Sequence, residues 1–273
     1  MVSRNEVMYS SIRSFAYSGG KISSESSHLI LEVPLEIIIN GATSTLIMFT
    51  PGMTRELVTG FIFTEGLIDT ASDIKECIIS SEERGDGEEL IKARVTIHSK
   101  DSIIPGIQGK RVSYSSCGIC GKENYYDMKK GLGRVKSTYR FTMEVLKLLP
   151  ERLNEHQPLY QKTGGAHAAV LFDTQGDPLL YSEDMGRHNA LDKVIGAALI
   201  KEISCQDKLL LTSGRASLEM ILKTARAGIP VFVAMSRPTS KAVEAAKFYN
   251  ITLLDMAKNS NRIYSHARRI KGF

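Results

Sequence analysis

The sequence predicts an α/β fold, a sheet with helices on both faces, preceded by a part built from hairpins. Three observations predict it. From Ala166 onward, short apolar runs of strand length alternate with segments whose apolar residues recur at helical spacing. Before Asn154, strand-like runs instead come in pairs around turn residues. The 273 residues are 42% apolar and 24% charged, a globular mix long enough for one large domain or two small ones.

Residues 1–28 are serine-rich without apolar periodicity and are expected to form a flexible arm, with ordered structure beginning at His28. Leu29 to Ile39 reads as a strand, Asn40-Gly41 as a turn and Ser44 to Phe49 as the return strand. From Thr54 the period changes: Leu57, Val58, Phe61 and Ile62 mark a helix that stops at Gly66. Ile74 to Ile79 and Leu90 to Ile97 read as strands around the polar turn Ser81 to Glu89. Ser99 to Lys122 is a long glycine-rich stretch, of the kind more often functional than idle. Helices are expected over Glu123 to Lys130 and Thr142 to Asn154, with a joint at Glu155 to Pro158. The division is thus 1–28, 29–155 and 156–273.

In the last part, strands are expected at Ala166 to Asp173, Pro178 to Tyr181, Leu209 to Thr212, Pro230 to Ala234 and Ile251 to Leu254. Helices are expected at Asn189 to Lys201, Ser217 to Ala227 and Thr239 to Tyr249.

A net charge of +5 is too small to argue for nucleic acid and is compatible with an anionic ligand. No apolar run approaches the roughly 18 residues of a membrane helix. The N-terminus lacks an apolar signal core, so a cytoplasmic chain with neither membrane nor nucleic-acid partners is expected. Of four cysteines, Cys77 and Cys205 stand alone, while Cys117 and Cys120 form a Cys-x-x-Cys.

That pair sits in Ser115-Ser116-Cys117-Gly118-Ile119-Cys120-Gly121-Lys122. Lys110, Arg111 and Lys122 would favour a thiolate, and the glycines would let a partner's sulfur approach. Half a zinc site, a dithiol redox motif and an inert loop are the rival readings; neither Cys77 nor Cys205 has a second cysteine or histidine nearby to complete a metal site. Four further segments lie at strand ends. In Thr163-Gly164-Gly165-Ala166-His167, the glycines allow backbone to approach a ligand, or simply make a tight turn. Glu183 to Lys193 packs seven charged, amide or imidazole residues into eleven, among them Arg187 and His188 at a helix start. Such a helix start favours anions. Thr212-Ser213-Gly214-Arg215-Ala216-Ser217 resembles a phosphate cradle without Walker spacing, and Ser236-Arg237-Pro238 repeats the strand-to-helix pattern. The basic tail from Lys258 to Lys271 reads as a solvated end.

In family order, these segments resemble the formate dehydrogenase accessory sulfurtransferases. The resemblance rests on Thr50-Pro51-Gly52, Glu65-Gly66, Cys117-Gly118-Ile119-Cys120-Gly121, Thr163-Gly164-Gly165-Ala166-His167, Glu183 to Lys193, and Ser213-Gly214-Arg215 with Glu219-Met220. It implies a cytidine deaminase-like three-layer α/β/α sheet with a smaller α+β subdomain. Deaminase chemistry is not implied, because His167 is followed by Ala168-Ala169 and Ser116, not proline, precedes Cys117. The resemblance further implies that Cys117 accepts sulfur as a persulfide from a cysteine desulfurase, with Cys120 assisting. The sulfur then passes to a molybdenum (or tungsten) bis-guanine-dinucleotide cofactor, bound as substrate before it enters formate dehydrogenase. A homodimer without a tightly bound metal of its own is implied, the alternative being a docking chaperone with inert cysteines. Cofactor contacts are expected from Gly164, Gly165, His167, Arg187, His188, Ser213, Gly214 and Arg215. Further contacts are expected from the loop Met256, Ala257, Lys258, Asn259, Ser260 and Asn261, which lacks the family's glycines and gains Asp255.

Overall fold

The structure is a computed structural model that describes residues 7–83, 85, 89–98, 111–112, 132–257 and 261–272. It opens with an antiparallel ribbon, β1 (Tyr9–Ser18) and β2 (Lys21–Ile30), which corrects the expectation that order begins at His28. Gly19 and Gly20, at φ 57° and 76°, form the two-residue loop between Ser18 and Lys21. Tight hairpin loops of this kind need left-handed backbone at both positions. The base of the ribbon is tied down: Lys162 donates to the Tyr9 hydroxyl at 2.5 Å, and Tyr9 meets His28 edge to face.

β3 (Val33–Ile39) and β4 (Thr43–Phe49) form the expected hairpin around Asn40-Gly41. Val33, Leu35, Ile37 and Ile39 are buried, so period-two alternation sets which face enters the core. Then come α1 (Thr54–Thr64), β5 (Ile74–Glu83), β6 (Glu89–Ile97) and the short β7 (Arg111–Val112). Together these strands make a five-stranded sheet in the order β5-β6-β3-β4-β7. The helix expected at 123–130 and most of the glycine-rich stretch lie outside the described residues.

α2 (Met143–Glu155) begins where Thr142 accepts the Val145 N–H. The expected joint continues as a short helix, α3 (Pro158–Thr163). There follow β8 (His167–Phe172), β9 (Pro178–Asp184), α4 (Arg187–Ile200), β10 (Leu209–Arg215), α5 (Leu218–Arg226), β11 (Val231–Ser236), α6 (Ser240–Phe248), β12 (Thr252–Asp255) and β13 (Arg262–Ile263). They build a six-stranded sheet in the order β13-β12-β11-β10-β8-β9. β10, β11 and β12 are parallel; β8 is antiparallel to β10, and β9 to β8.

Both faces of this sheet are covered. Ala168, Val170, Leu211 and Val233 pack with Leu146, Leu149 and Leu153 of α2. Ala169, Leu171, Leu210 and Phe232 face the opposite way, in one core with α4, α5 and α6. That second core runs on through α1 into the inward residues of the five-stranded sheet. The junction is a backbone contact between α1 and α4. A Cβ placed on Gly60 would lie 1.9 Å from the Asp192 carbonyl oxygen, and one on Gly196 would lie 1.9 Å from that of Glu56. Only glycine lets the two helices cross this closely.

Candidate functional site

Because β9 through β12 run in one direction, their C-terminal ends reach the same edge of the six-stranded sheet, together with the starts of β8 and β13. α4, α5 and α6 begin at that edge. Strand ends followed by helix starts are where α/β sheets hold ligands. The topology therefore collects Gly164, Gly165 and His167, Arg187 and His188, Ser213, Gly214 and Arg215, Met256 and Ala257, and Asn261 along one line. Cys117, Cys120, Lys258, Asn259 and Ser260 lie outside the described residues.

Within the line, three elements bring His167, Arg187, Ser213 and Gly214 together. Ser213 Oγ accepts the Ala168 N–H at 2.9 Å and lies 3.2 Å from His167 Nδ1. A Cβ on Gly214 would approach the Arg187 side chain to 3.1 Å and His167 Nδ1 to 3.6 Å. Burial and the Arg187 charge hold the His167 pKa below its usual value, against a smaller pull from Asp184. Gly164 caps α3 in the left-handed conformation at φ 68°, and Gly165 leaves room for Ile30 at the base of the ribbon. Arg215 and Arg237 are exposed at the same edge.

Acidic residues nearby do not cancel these cations. Asp184 is fully buried and committed: its carboxylate takes the Lys193 ammonium at 2.8 Å, the Thr50 N–H at 3.1 Å, the Gly186 N–H at 2.9 Å and the Asn189 amide at 2.9 Å. Glu183 accepts the Leu159 and Tyr160 N–H groups at 2.7 and 2.8 Å. Lys193 also donates to the Thr50 carbonyl at 2.8 Å. Much of the Glu183–Lys193 segment is thus a buried bracket that fastens the start of α4 to the Thr50-Pro51-Gly52 turn. Sequence reading saw the polar density but not Thr50 as its partner.

His188 is placed apart from His167. It is 4% exposed, with Nε2 3.3 Å from Ser217 Oγ and 3.5 Å from Glu219. Glu219 belongs to a second buried ionic group in which Lys223 holds Asp192 at 2.5 Å and Thr64 donates to Asp192 at 2.9 Å. Burial works against the Lys223 ammonium, but Asp192, Glu219 and Glu65 outweigh it and keep its pKa above the usual lysine value.

At the other end of the edge, a pocket of about 390 Å³ opens between α2 and the β12–β13 pair, lined by Met143, Lys147, Met256, Asn261 and Arg262. Asp255 beneath it is fully buried, accepting from the Tyr264 hydroxyl and from the Ala257 N–H at 3.3 Å. The two described cysteines are poor nucleophiles: burial raises the pKa of Cys77 and pushes that of Cys205 to about 11. Among the described residues, no helix is long and apolar enough to cross a membrane.

Fold and edge together define an α/β protein with a cationic edge where strand ends meet helix starts. The chain belongs to the FdhD/NarQ family, whose match spans residues 30–271. It is 36% identical over 244 residues to the sulfur carrier protein FdhD of Sulfurisphaera tokodaii, covering 88% of this chain and 90% of that one. It is 38% identical over 258 residues to the protein of the same name from Mycolicibacterium paratuberculosis, covering 89% and 91%. Among solved structures, a protein described as a formate dehydrogenase accessory protein from Desulfotalea psychrophila superposes with a TM-score of 0.74 at 23% identity. That match covers 97% of this chain and all of the other, and bears on the fold.

Proposed function

We propose that this protein is a sulfurtransferase of formate dehydrogenase maturation. It accepts sulfur from a cysteine desulfurase on Cys117, with Cys120 assisting, and delivers it to a molybdenum (or tungsten) bis-guanine-dinucleotide bound as substrate. In the first step the Cys117 thiolate attacks the outer sulfur of the donor's cysteine persulfide. The donor's S–S bond breaks, an S–S bond forms on Cys117, and the donor leaves as a thiolate. No electrons are gained or lost overall.

The observation that carries this reading is the single cationic edge, at which the nearby acids are already paired. It suits a ligand with several phosphates, and its apolar pocket suits a flat, partly apolar group. The raised pKa values of Cys77 and Cys205 leave the Cys-x-x-Cys as the source of thiolate. Chain length permits a meeting. β7 runs parallel to β4, and Val112 pairs with Leu46, four residues before Thr50 at the edge. Cys117 lies five Cα steps beyond Val112, a reach of at most about 18 Å against about 13 Å along β4. The same reading makes the protein a cytoplasmic homodimer that docks on formate dehydrogenase. We further infer that its three-layer sheet is the arrangement of the cytidine deaminases, without their zinc chemistry.

Intact-protein mass spectrometry after incubation with a cysteine desulfurase and cysteine tests it. One added sulfur, mapped to the Cys117 peptide and absent from Cys117→Ala, is expected. Equal labelling of that variant rejects the assignment.

A further inference from the structure

A separate, strongly polar pocket of about 530 Å³ opens at the opposite edge of the six-stranded sheet, where β11 and β12 start. That volume is in the range of small-ligand sites. Its walls are the segment 137–140, Asn250 ahead of β12, and the tight turn Ala267–Arg269 with His266 before it. The frame is held by backbone: the Phe141 N–H donates to the Arg269 carbonyl at 2.9 Å, and the Lys271 N–H to the Phe141 carbonyl at 2.7 Å.

The lining carries positive charge and no carboxylate. Arg140 and Arg268 are exposed at the rim, Arg269 is a wall residue only 8% exposed, and no aspartate or glutamate is among the lining residues described. Arg269 donates to uncharged acceptors: the Pro230 carbonyl at 3.2 Å, the Thr252 hydroxyl at 2.8 Å and the Ser137 carbonyl at 3.3 Å. Asp207, the carboxylate that acts on it electrostatically, already accepts the Ser137 hydroxyl. Burial outweighs Asp207 and lowers the Arg269 pKa from the ordinary arginine value. The hydrogen bonds of this guanidinium are thus satisfied while its charge is not, and a buried charge without a counter-ion is costly. His266 adds a fixed ring. It sits at φ 48°, a left-handed region that few side-chain-bearing residues adopt. Because a carbonyl can only accept, its Nε2 carries the proton given to the Lys247 carbonyl at 2.9 Å.

We propose that this pocket is an oxyanion site that takes the phosphoryl group of a small molecule, with Arg140 and Arg268 as its contacts and Arg269 as the buried source of positive potential. Guanidiniums on two different walls, 137–140 and 267–269, suit a tetrahedral anion, whose oxygens point several ways; a carboxylate offers two oxygens in one plane. Inorganic phosphate and a phosphate monoester share this chemistry. The site goes beyond the sulfur-transfer reading and does not depend on it. Pro230 and Asn250 precede β11 and β12, and the edge proposed for the dinucleotide lies past the far ends of those strands, about 13–20 Å away.

NMR titration of the full chain, with assigned backbone amides, tests the site. Inorganic phosphate and glycerol 3-phosphate are added in parallel, against sodium chloride of matched ionic strength. Saturable shifts at Thr138 to Arg140, Asn250 and His266 to Arg269 are expected with one or both phosphates. Tighter binding of the ester assigns the site to an organic phosphate, and equal binding to the free ion. Arg140 and Arg268 are exposed, so a variant with Arg140→Gln and Arg268→Gln is expected to fold, and to bind at least about tenfold more weakly. Shifts confined to the edge around His167 and Ser213, shifts that sodium chloride reproduces, or binding by the double variant within twofold of wild type each overturns the site.

Discussion

Asp184 and Arg187 lie three residues apart and illustrate opposite ways in which charge is used. Asp184 is sealed in the bracket, and Lys193 is its counter-ion. Removing one partner of a buried pair strands the other charge, so Lys193→Met is expected to cost about 3–5 kcal/mol in urea unfolding; a loss below about 1 kcal/mol would contradict the bracket. His167 gives a pH signature. Its folded pKa is depressed by burial and by Arg187, so its contribution is complete above the unfolded value near 6.5. It declines as pH falls through that value, because the unfolded chain takes the proton first. Urea midpoints between pH 8 and pH 5 should therefore fall, and His167→Gln should flatten that part of the slope. An identical slope in the variant would show that His167 is not the group responsible. The sequence shows that the Glu183–Lys193 run is polar. It does not show which members are satisfied, because Asp184 finds Thr50, in a turn more than a hundred residues away.

Elements were legible where a periodic pattern or a turn signal was strong. The Asn40-Gly41 hairpin and the three helices after β9, β10 and β11 follow from apolar spacing and turn chemistry. The ribbon of β1 and β2 was missed because serine marks neither face of a strand; Gly19-Gly20 was the signal available. The α1–α4 crossing was also invisible, since a glycine inside a helix reads as a propensity penalty until its neighbour is known. Gly196→Ala would drive a methyl into the Glu56 carbonyl. The helices must then separate, and the cost expected is about 3 kcal/mol, at the upper end of overpacking. A thermal midpoint equal to wild type would contradict the close crossing. Ala198→Gly, on the same helix and also buried but without that contact, is expected to cost about 2 kcal/mol, from helix propensity and the lost buried methyl together.

At the scale of the molecule, a topological fact connects fold to chemistry. Four strands that run the same way deliver separate stretches of sequence to one edge, so residues from Gly164 to Asn261 become neighbours along a line. Sequence order alone suggested several anion-friendly turns; the strand order shows that they share an edge. The central claim is that sulfur held on Cys117 reaches a dinucleotide held at that edge. The most direct measurement is a single-turnover transfer. The chain is loaded with isotopically labelled sulfur, freed of the desulfurase and mixed with the molybdenum bis-guanine-dinucleotide. Mass spectrometry then follows the label on the protein and on the cofactor. The account predicts that label leaves the Cys117 peptide as it appears on the cofactor, and that Cys117→Ala delivers none. Label appearing on the cofactor at the same rate with Cys117→Ala would contradict it.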